Sequence, residues 1–559
     1  MVDSLEGGKV SSLLRKLLPE AHDLEQRISS AKKGPEALSS GPTLIRGTSA
    51  WEGVKAVIDR ALDEKRPVLV YGDYDVDGVT STYLLFRWLR SHGVPGNCFI
   101  PSRLQHGYGL DEKVIAQASE QGYKTLIALD CGTANLAELE MAVDAGLDCA
   151  VIDHHEPKDT LPPVPVLNHH LEDNLEEYCT AGLVYHVLKT LRDDHGDSDP
   201  GDELELVGLA TIADVVPLSP GNWLLAHLGL KALPETLNPG LAELIKVSKL
   251  HGLTRVTGRQ ASFNLIPRLN APGRMKSAAL MLKLLQAADQ SAGREAAYVL
   301  ENLNTERKKL SEQTTRAALL QSAAFEGEAA VALYDKNWHP GILGIVAARV
   351  AETAGKPAVI LTDAPGSEGQ LTGSVRSANG HDVVKALAGC TGSTISFGGH
   401  SAAAGVKLEA GKLEEFRSEW SNAVKAQAGP GEEAGDSEHA GLVEVGLGEL
   451  TQQFEDEVWQ LEPFGNGFPP LRCILKGCRV DRLSYMGKDK THLNLQVTDG
   501  TRQVRLVGFN QSHLYHRLSP GQPLEPIVEI EPDNWNNRYS IMLRLLGLRE
   551  DYAPQGSGQ

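Results

Sequence analysis

The chain has 559 residues, 41% apolar and 23% charged, with a formal net charge of −19. That length exceeds one hydrophobic core and predicts roughly three to four domains of ordinary globular composition. No run reaches the ~18 apolar residues of a membrane span, Met1–Lys9 carries no signal-peptide core, and the seven scattered cysteines form no C-x-x-C pair; a cytoplasmic protein with reduced thiols and no membrane partner is expected.

In chain order, residues 1–45 read as a polar lead-in with short helical stretches. A domain over 46–275 follows. Strands are predicted at 67–72, 97–101, 124–130, 148–153 and 163–167, with helices at 79–92, 111–121 and 134–145. This β-α-β rhythm means a mostly parallel sheet. Residues 180–290 read as largely helical. Good helix formers without proline predict a helical connector over 276–327, which Gly293 kinks or splits. A second strand-helix alternation over 328–425 has strands at 329–334, 357–362 and 370–376 and a helix at 342–354. A linker is expected over 426–470, flexible by composition at 426–440. Residues 471–550 alternate at 491–498, 502–509 and 539–546, and an OB-fold fits their size. The expected class is α/β: a parallel-sheet domain joined by a long helix to a second α/β domain, plus a C-terminal OB-fold-like β domain.

Three of the apolar runs end in possible metal ligands. Val68–Gly72 leads into Asp73-Tyr74-Asp75-Val76-Asp77-Gly78, Leu126–Leu129 into Asp130, and Ala150–Ile152 into Asp153-His154-His155. Adjacent parallel strands gather such ends at one sheet edge, where open α/β folds bind ligands. The first cluster also matches the opening of a calcium-binding EF-hand loop. Its twelfth position, which needs a bidentate Glu, is Leu84, and a strand rather than a helix precedes it. Any one of these acids alone reads as a loop or cap residue. Asp75, Asp77, Asp130 and His154 together read as ligands: alternate carboxylates reach different ions, Asp130 bridges, and an oxygen-rich set with one imidazole suits Mn2+ or Mg2+. Two such ions ~4 Å apart stabilise both oxygens of a phosphoryl displacement, so a two-metal phosphoesterase is expected. His169 and His170, in a loop after Asn168, read as structural. No Walker A, G-x-S-x-G or H-E-x-x-H pattern occurs.

Asp153-His154-His155 with Asp-Tyr-Asp-Val-Asp-Gly upstream resembles the DHH phosphoesterase superfamily. Ile100-Pro101-Ser102-Arg103, Gly107-Tyr108-Gly109-Leu110, and segments 210–218, 268–275 and 463–467 resemble its RecJ family; Gly398-Gly399-His400 opens a segment similar to the glycine-rich signature of the DHH-associated second domain. The resemblance implies a single-stranded-DNA-specific 5′→3′ exonuclease of recombination and mismatch repair, using two Mn2+ or Mg2+ ions, with single-strand-binding protein and a helicase as partners. It puts metal ligands at Asp75, Asp77, Asp130, His154 and Asp214, His155 against the scissile phosphate, and Asp73 and Asp153 as further ligands or supports. Asp214 lies inside an apolar stretch and is reached only through the resemblance. Tyr71 stands where superfamily members often carry a ligand His, so one ion has fewer protein ligands.

The same resemblance assigns the 5′-phosphate to Arg103, Ser374 and Arg376, and Gly398, Gly399, His400 and Arg274 are further candidate DNA contacts, a Gly-Gly pair alone reading as a turn. Arginine's planar fork suits phosphate oxygens, and glycines let backbone N–H groups approach. Residues 471–550 carry twelve Lys and Arg against eight Asp and Glu, a positive balance within an acidic chain. Tyr485, Lys488, Lys490, Arg502, Arg505, Phe509, Trp535, Arg538 and Tyr539 are candidate contacts for a single strand, although half of those aromatics fit equally into a barrel core. The rivals are a DHH phosphodiesterase for cyclic dinucleotides or short oligonucleotides, which usually lacks a third module, and an inactive scaffold, which has no need of the full ligand set.

Overall fold

β1 (Val68–Tyr71) is buried at every position, as a strand covered on both faces must be. It lies inside a five-stranded parallel sheet of order β2-β1-β3-β4-β5, with β2 Gly96–Phe99, β3 Thr125–Leu129, β4 Asp148–Ile152 and β5 Val166–Leu167. The strand order reverses between β1 and β3, so the crevice beyond their carboxyl ends is the natural ligand site. β5 is shorter than the 163–167 expected, because Pro163 and Pro165 have no N–H for the ladder. The structure is a computed structural model. It describes residues 10–551 apart from 20, 22, 104–108, 199–200, 428–441, 488 and 535–537. Gly107, Tyr108, Lys488, Trp535 and most of segment 426–440 lie outside the described residues.

Helices Thr180–His195, Leu204–Asp214, Pro220–Ala232, Pro239–Val247 and Ile266–Met275 complete the first domain. The helix Gln290–Ser322 follows, 33 residues and about 50 Å at the usual rise per residue. It does not break at Gly293. The interruption comes earlier, where Asp289 accepts hydrogen bonds from Ser291 N (2.8 Å) and Ala292 N (2.9 Å) and starts the helix. Gly293 instead permits close packing, since a Cβ there would stand 2.5 Å from Pro239 O. Among the described residues no helix is long and apolar enough to cross a membrane.

The second sheet runs β6-β7-β8-β10-β9, with β6 Val331–Tyr334, β7 Ala358–Asp363, β8 Gln370–Arg376, β9 Thr394–His400 and β10 Ala403–Glu409. Only β6 and β7 pair in parallel. The helix Leu343–Ala354 packs on this sheet and on the connector.

The third sheet is a barrel. Within the segment read as linker, β11 (Val443–Gly446) pairs with β12 (Leu471–Lys476), and Gln452–Gln460 packs on the barrel. β13 (Cys478–Met486) pairs with β14 (His492–Thr498), and β14 with β15 (Gln503–Gly508). The short β16 (Pro523–Leu524) pairs with β13. β17 (Pro526–Asp533) lies between β12 and β18 (Ser540–Leu548), and β15 and β18 meet in parallel. β12 and β13 are one bent strand interrupted by Gly477 (φ 69°), so the sheet closes on itself. Trp223 Nε1 donates to Leu461 O at 2.9 Å, and a continuous apolar core joins the first domain to the barrel. The lead-in also touches both: Leu24–Lys33 packs on Pro220–Ala232, while Ser11 N donates to Glu457 Oε1 (2.9 Å).

Candidate metal centre and phosphate pocket

Each acidic residue at the sheet edge is oriented by the fold. Asp75 caps helix Val76–Ser91, its Oδ1 accepting from Asp77 N (2.9 Å) and Gly78 N (3.1 Å). Asp77 reaches the start of helix Thr180–His195, accepting from Thr180 N and Ala181 N at 2.7 Å each. Helix N-termini favour carboxylates at these positions. Asp130, at the end of β3, takes a left-handed backbone (φ 61°) and receives a hydrogen bond from Thr180 Oγ1 at 3.0 Å. Asp214 ends helix Leu204–Asp214, and Val215 reverses the chain behind it.

These groups meet. His154 Nε2 lies 3.4 Å from Asp130 Oδ1 and 3.5 Å from Asp214 Oδ2. Potential ligand atoms fall within 4.8 Å of one another in three sets: Asp73, Asp75 and Asp130; Asp77, His154 and Asp214; and Asp130, His154 and His155. Asp130 belongs to two of them, as a bridging carboxylate would. Asp73 Oδ1 and His154 Nε2 are buried and have no hydrogen-bond partner among the described residues. Orphaned buried polar atoms are costly, and divalent cations in the separate sets would satisfy them; the donor set fits Mn2+ or Mg2+.

The electrostatics agree. Burial, then the charges of Asp77, Asp75, Asp73 and Asp214, hold Asp130 well above the usual carboxylate range. Burial and Asp75 do the same to Asp73, and burial also raises Asp77. Asp214 is pushed up to about 8 by burial and then by Asp77 and Asp75. Massed carboxylates of this kind need positive charge to ionise together.

Asp153 belongs to none of the three sets. Its Oδ2 accepts from Thr133 N (3.1 Å), and its Oδ1 from His154 N (2.8 Å), His155 N (3.2 Å) and His155 Nδ1 (2.8 Å). Tyr71 contributes no ligand in place of the missing His: its hydroxyl donates to Gly109 O at 3.0 Å. Lone polar residues that sequence reasoning passed over support the site. Thr180 orients Asp130, and buried Asn168 donates to Thr133 Oγ1 (3.1 Å) and His155 O (2.8 Å). Asn168 Oδ1 also accepts from His170 N, which fixes the turn carrying His169 and His170.

Beside the carboxylates lies a cationic pocket. Arg274 is lowered to about 10, by burial first and then by Arg103, Arg307 and Arg376. None of these four has an ion-pair partner among the described residues. Arg103 lies 5.3 Å from the centre of the Tyr74 ring. Arg376 Nη1 donates to Ser374 Oγ (3.0 Å) and Val375 O (2.8 Å). A Cβ on Gly341 would stand 1.8 Å from Arg274 O, so the second domain presses directly on the segment carrying Arg274. Unpaired arginines drawn together from both domains make an anion site. Gly398, Gly399 and His400 lie on the edge strand β9, paired to β10; Gly399 (φ 143°) has no room for a side chain beside Ala403 O.

On the barrel, Arg502 is occupied structurally, donating to Leu447 O and Leu450 O. Tyr485 stacks on Tyr515 with centroids 4.1 Å apart, and Tyr539 packs edge-on against Trp459. Arg505 donates to Asn494 Oδ1 at 2.7 Å. Lys490, Arg538 and Phe509 remain on the surface.

Comparison with known proteins gives a consistent result. The DHH family N-terminal domain matches residues 67–211, the DHHA1 domain 327–426 and the RecJ OB domain 443–546. The single-stranded-DNA-specific exonuclease RecJ of Bacillus subtilis is 31% identical over 502 residues, covering 88% of this chain. The chain spans 63% of the length of that relative. The Dickeya dadantii protein of the same name is 31% identical over 517 residues, covering 87% of this chain and 88% of its own. The crystal structure of RecJ from Thermus thermophilus in complex with Mn2+ superposes with a TM-score of 0.77 at 27% identity, covering 92% of this chain and 73% of that one.

Proposed function

The chain belongs to the RecJ family of DHH phosphoesterases, and from that premise we propose that it is a single-stranded-DNA-specific exonuclease that hydrolyses phosphodiester bonds from the 5′ end with two divalent ions. The observation that carries this reading is the meeting of the three ligand sets at Asp130 and His154 beside a pocket of unpaired arginines. Mn2+ or Mg2+ would be held by Asp75, Asp77, Asp130, His154 and Asp214, with Asp73 as a further donor. When bound, divalent ions supply the positive charge that stabilises a phosphoryl transition state and lower the pKa of water.

The chain's own residues do the rest. Burial alone would lower His155, but the hydrogen bond and charge of Asp153 outweigh it and raise the imidazole to about 9. In the metal-free protein the imidazolium is therefore favoured at neutral pH. Its Nδ1–H is committed to Asp153, and we assign its Nε2–H to an oxygen of the scissile phosphate. Arg103, Arg274, Arg376 and Ser374 bind the 5′-phosphate and set the register of cleavage. We attribute strand selectivity to passage of the strand between the two α/β domains, which contribute Arg103 and Arg274 on one side and Arg376 on the other. Recombination and mismatch repair, beside single-strand-binding protein and a helicase in the cytoplasm, are the setting this activity fits. The barrel favours a long strand over a cyclic dinucleotide as substrate.

The test is direct. With Mn2+, 5′-phosphorylated single strands are expected to yield mononucleotides from the 5′ end, and EDTA to stop the reaction. Equal cleavage of duplex, or degradation from the 3′ end, would overturn the proposal.

A further inference from the structure

The strand's bases need a seat as well as its phosphates. A cavity of about 300 Å³ opens between the first domain and the barrel, lined by residues on either side of Asp214 in sequence. Ile212 and Val215, which flank that carboxylate in sequence, form one wall; Pro463 and Phe464 form another; Arg259 and Phe263 form a third. Val215 is 62% exposed and Phe263 67%. Phe263 sits in the π-helical turn Ala261–Leu265, whose end residues are buried. Such turns insert one extra residue into a helix and recur at functional sites. The Arg259 guanidinium lies 5.4 Å from the Phe263 ring centre and 5.5 Å from that of Phe509 on the barrel. Ring, cation and ring therefore link the π-helical turn of the first domain to the barrel.

The rest of the lining decides what the cavity takes. Glu462 and Glu531 face it, and carboxylates repel a phosphodiester. Glu531 Oε1 accepts from Arg259 (2.5 Å) and pairs with Arg544 (3.0 Å). An apolar and cationic platform with an acidic floor matches a nucleobase: every base has a π-face that stacks on aromatic rings and on arginine. We propose that this cavity holds a nucleobase of the strand being cut, stacked on Phe263 and Arg259, and that these two positioning residues align the strand on the metal centre. The inference rests on the nuclease reading above and adds to it where one base sits.

Photocrosslinking tests it. 5-Iododeoxyuridine is placed at each position in turn of a 5′-phosphorylated strand, with Ca2+ replacing Mn2+, and crosslinked residues are identified by mass spectrometry. A crosslink to Phe263 from one strand position is expected. An abasic residue at that position should raise KM roughly tenfold in the wild-type enzyme and have little further effect in Phe263→Ala, while Phe263→Tyr restores the wild-type pattern. Equal melting temperatures of the variants confirm folding, as an exposed ring predicts. Crosslinks confined to barrel aromatics, or an abasic profile unchanged in Phe263→Ala, would overturn the inference alone. Failure of the strand to bind at all would remove the nuclease reading with it.

Discussion

His155 Nδ1 lies 2.8 Å from Asp153 Oδ1, in a hydrogen bond that spans two residues at the end of β4. Burial opposes both charges, yet the pair holds the imidazole up at about 9 and the carboxyl down at about 2. Asp153→Asn removes the anion, and His155 should fall toward or below the ordinary imidazole value of ~6.5. The alkaline limb of kcat/KM is then expected to move to lower pH, with activity at pH 8 reduced about 10- to 100-fold. A pH–rate profile measures this; an unmoved limb would show that His155 does not act as a cation.

Asp214 makes the metal-free protein sensitive to pH. Its folded value of about 8 stands far above the ~3.9 of an unfolded aspartate. Between those values the folded state binds more protons than the unfolded state, so stability falls as pH rises. His155, also raised, acts in the same direction up to about 9. Melting temperatures in EDTA should decline from pH 5 to pH 8. Mn2+ should reverse the decline, and Asp214→Asn should make it shallower, the rest coming from Asp73, Asp77, Asp130 and His155. A rising curve in EDTA would contradict the carboxylate cluster.

Asp130 and Thr180 separate chemistry from support. Asp130→Ala should abolish hydrolysis while single-strand binding persists, because Asp130 lies in two ligand sets and outside the arginine pocket. Thr180→Val removes only the 3.0 Å hydrogen bond to Asp130 and should weaken activation by Mn2+ about tenfold. Titration of activity against Mn2+ distinguishes the two. Wild-type activity in Asp130→Ala would refute the ligand assignment.

Arg376 belongs to the second domain and feels Arg103 of the first. Arg376→Ala should raise KM for 5′-phosphorylated ends by roughly tenfold or more, the worth of a charge-assisted pair, with a smaller effect on 5′-hydroxyl ends. Equal losses on both ends would place Arg376 outside the phosphate pocket.

The sheet edge was legible because buried parallel strands read as apolar runs, and the chain leaves each run at the same edge. β1, β3 and β4 each end within two residues of an aspartate or histidine that joins a ligand set. Asp214 was not legible from pattern, since helix Leu204–Asp214 is apolar around most of its circumference; only the family resemblance reached it. Thr180, Thr133 and Asn168 are single polar residues whose roles depend on partners far along the chain. The barrel's closing strand was hidden by its bend at Gly477, and Phe263 by a π turn that breaks the helical period.

Asp77 carries two burdens at once. Both of its oxygens hold the start of helix Thr180–His195, and Asp75 does the same for Val76–Ser91. In a lineage that had abandoned catalysis, selection on folding alone would keep these two acids in place. His154 and Asp214 cap no helix and would be free to drift. In this chain the catalytic centre is therefore marked more specifically by the distant pair His154 and Asp214 than by the conspicuous aspartates after the first strand.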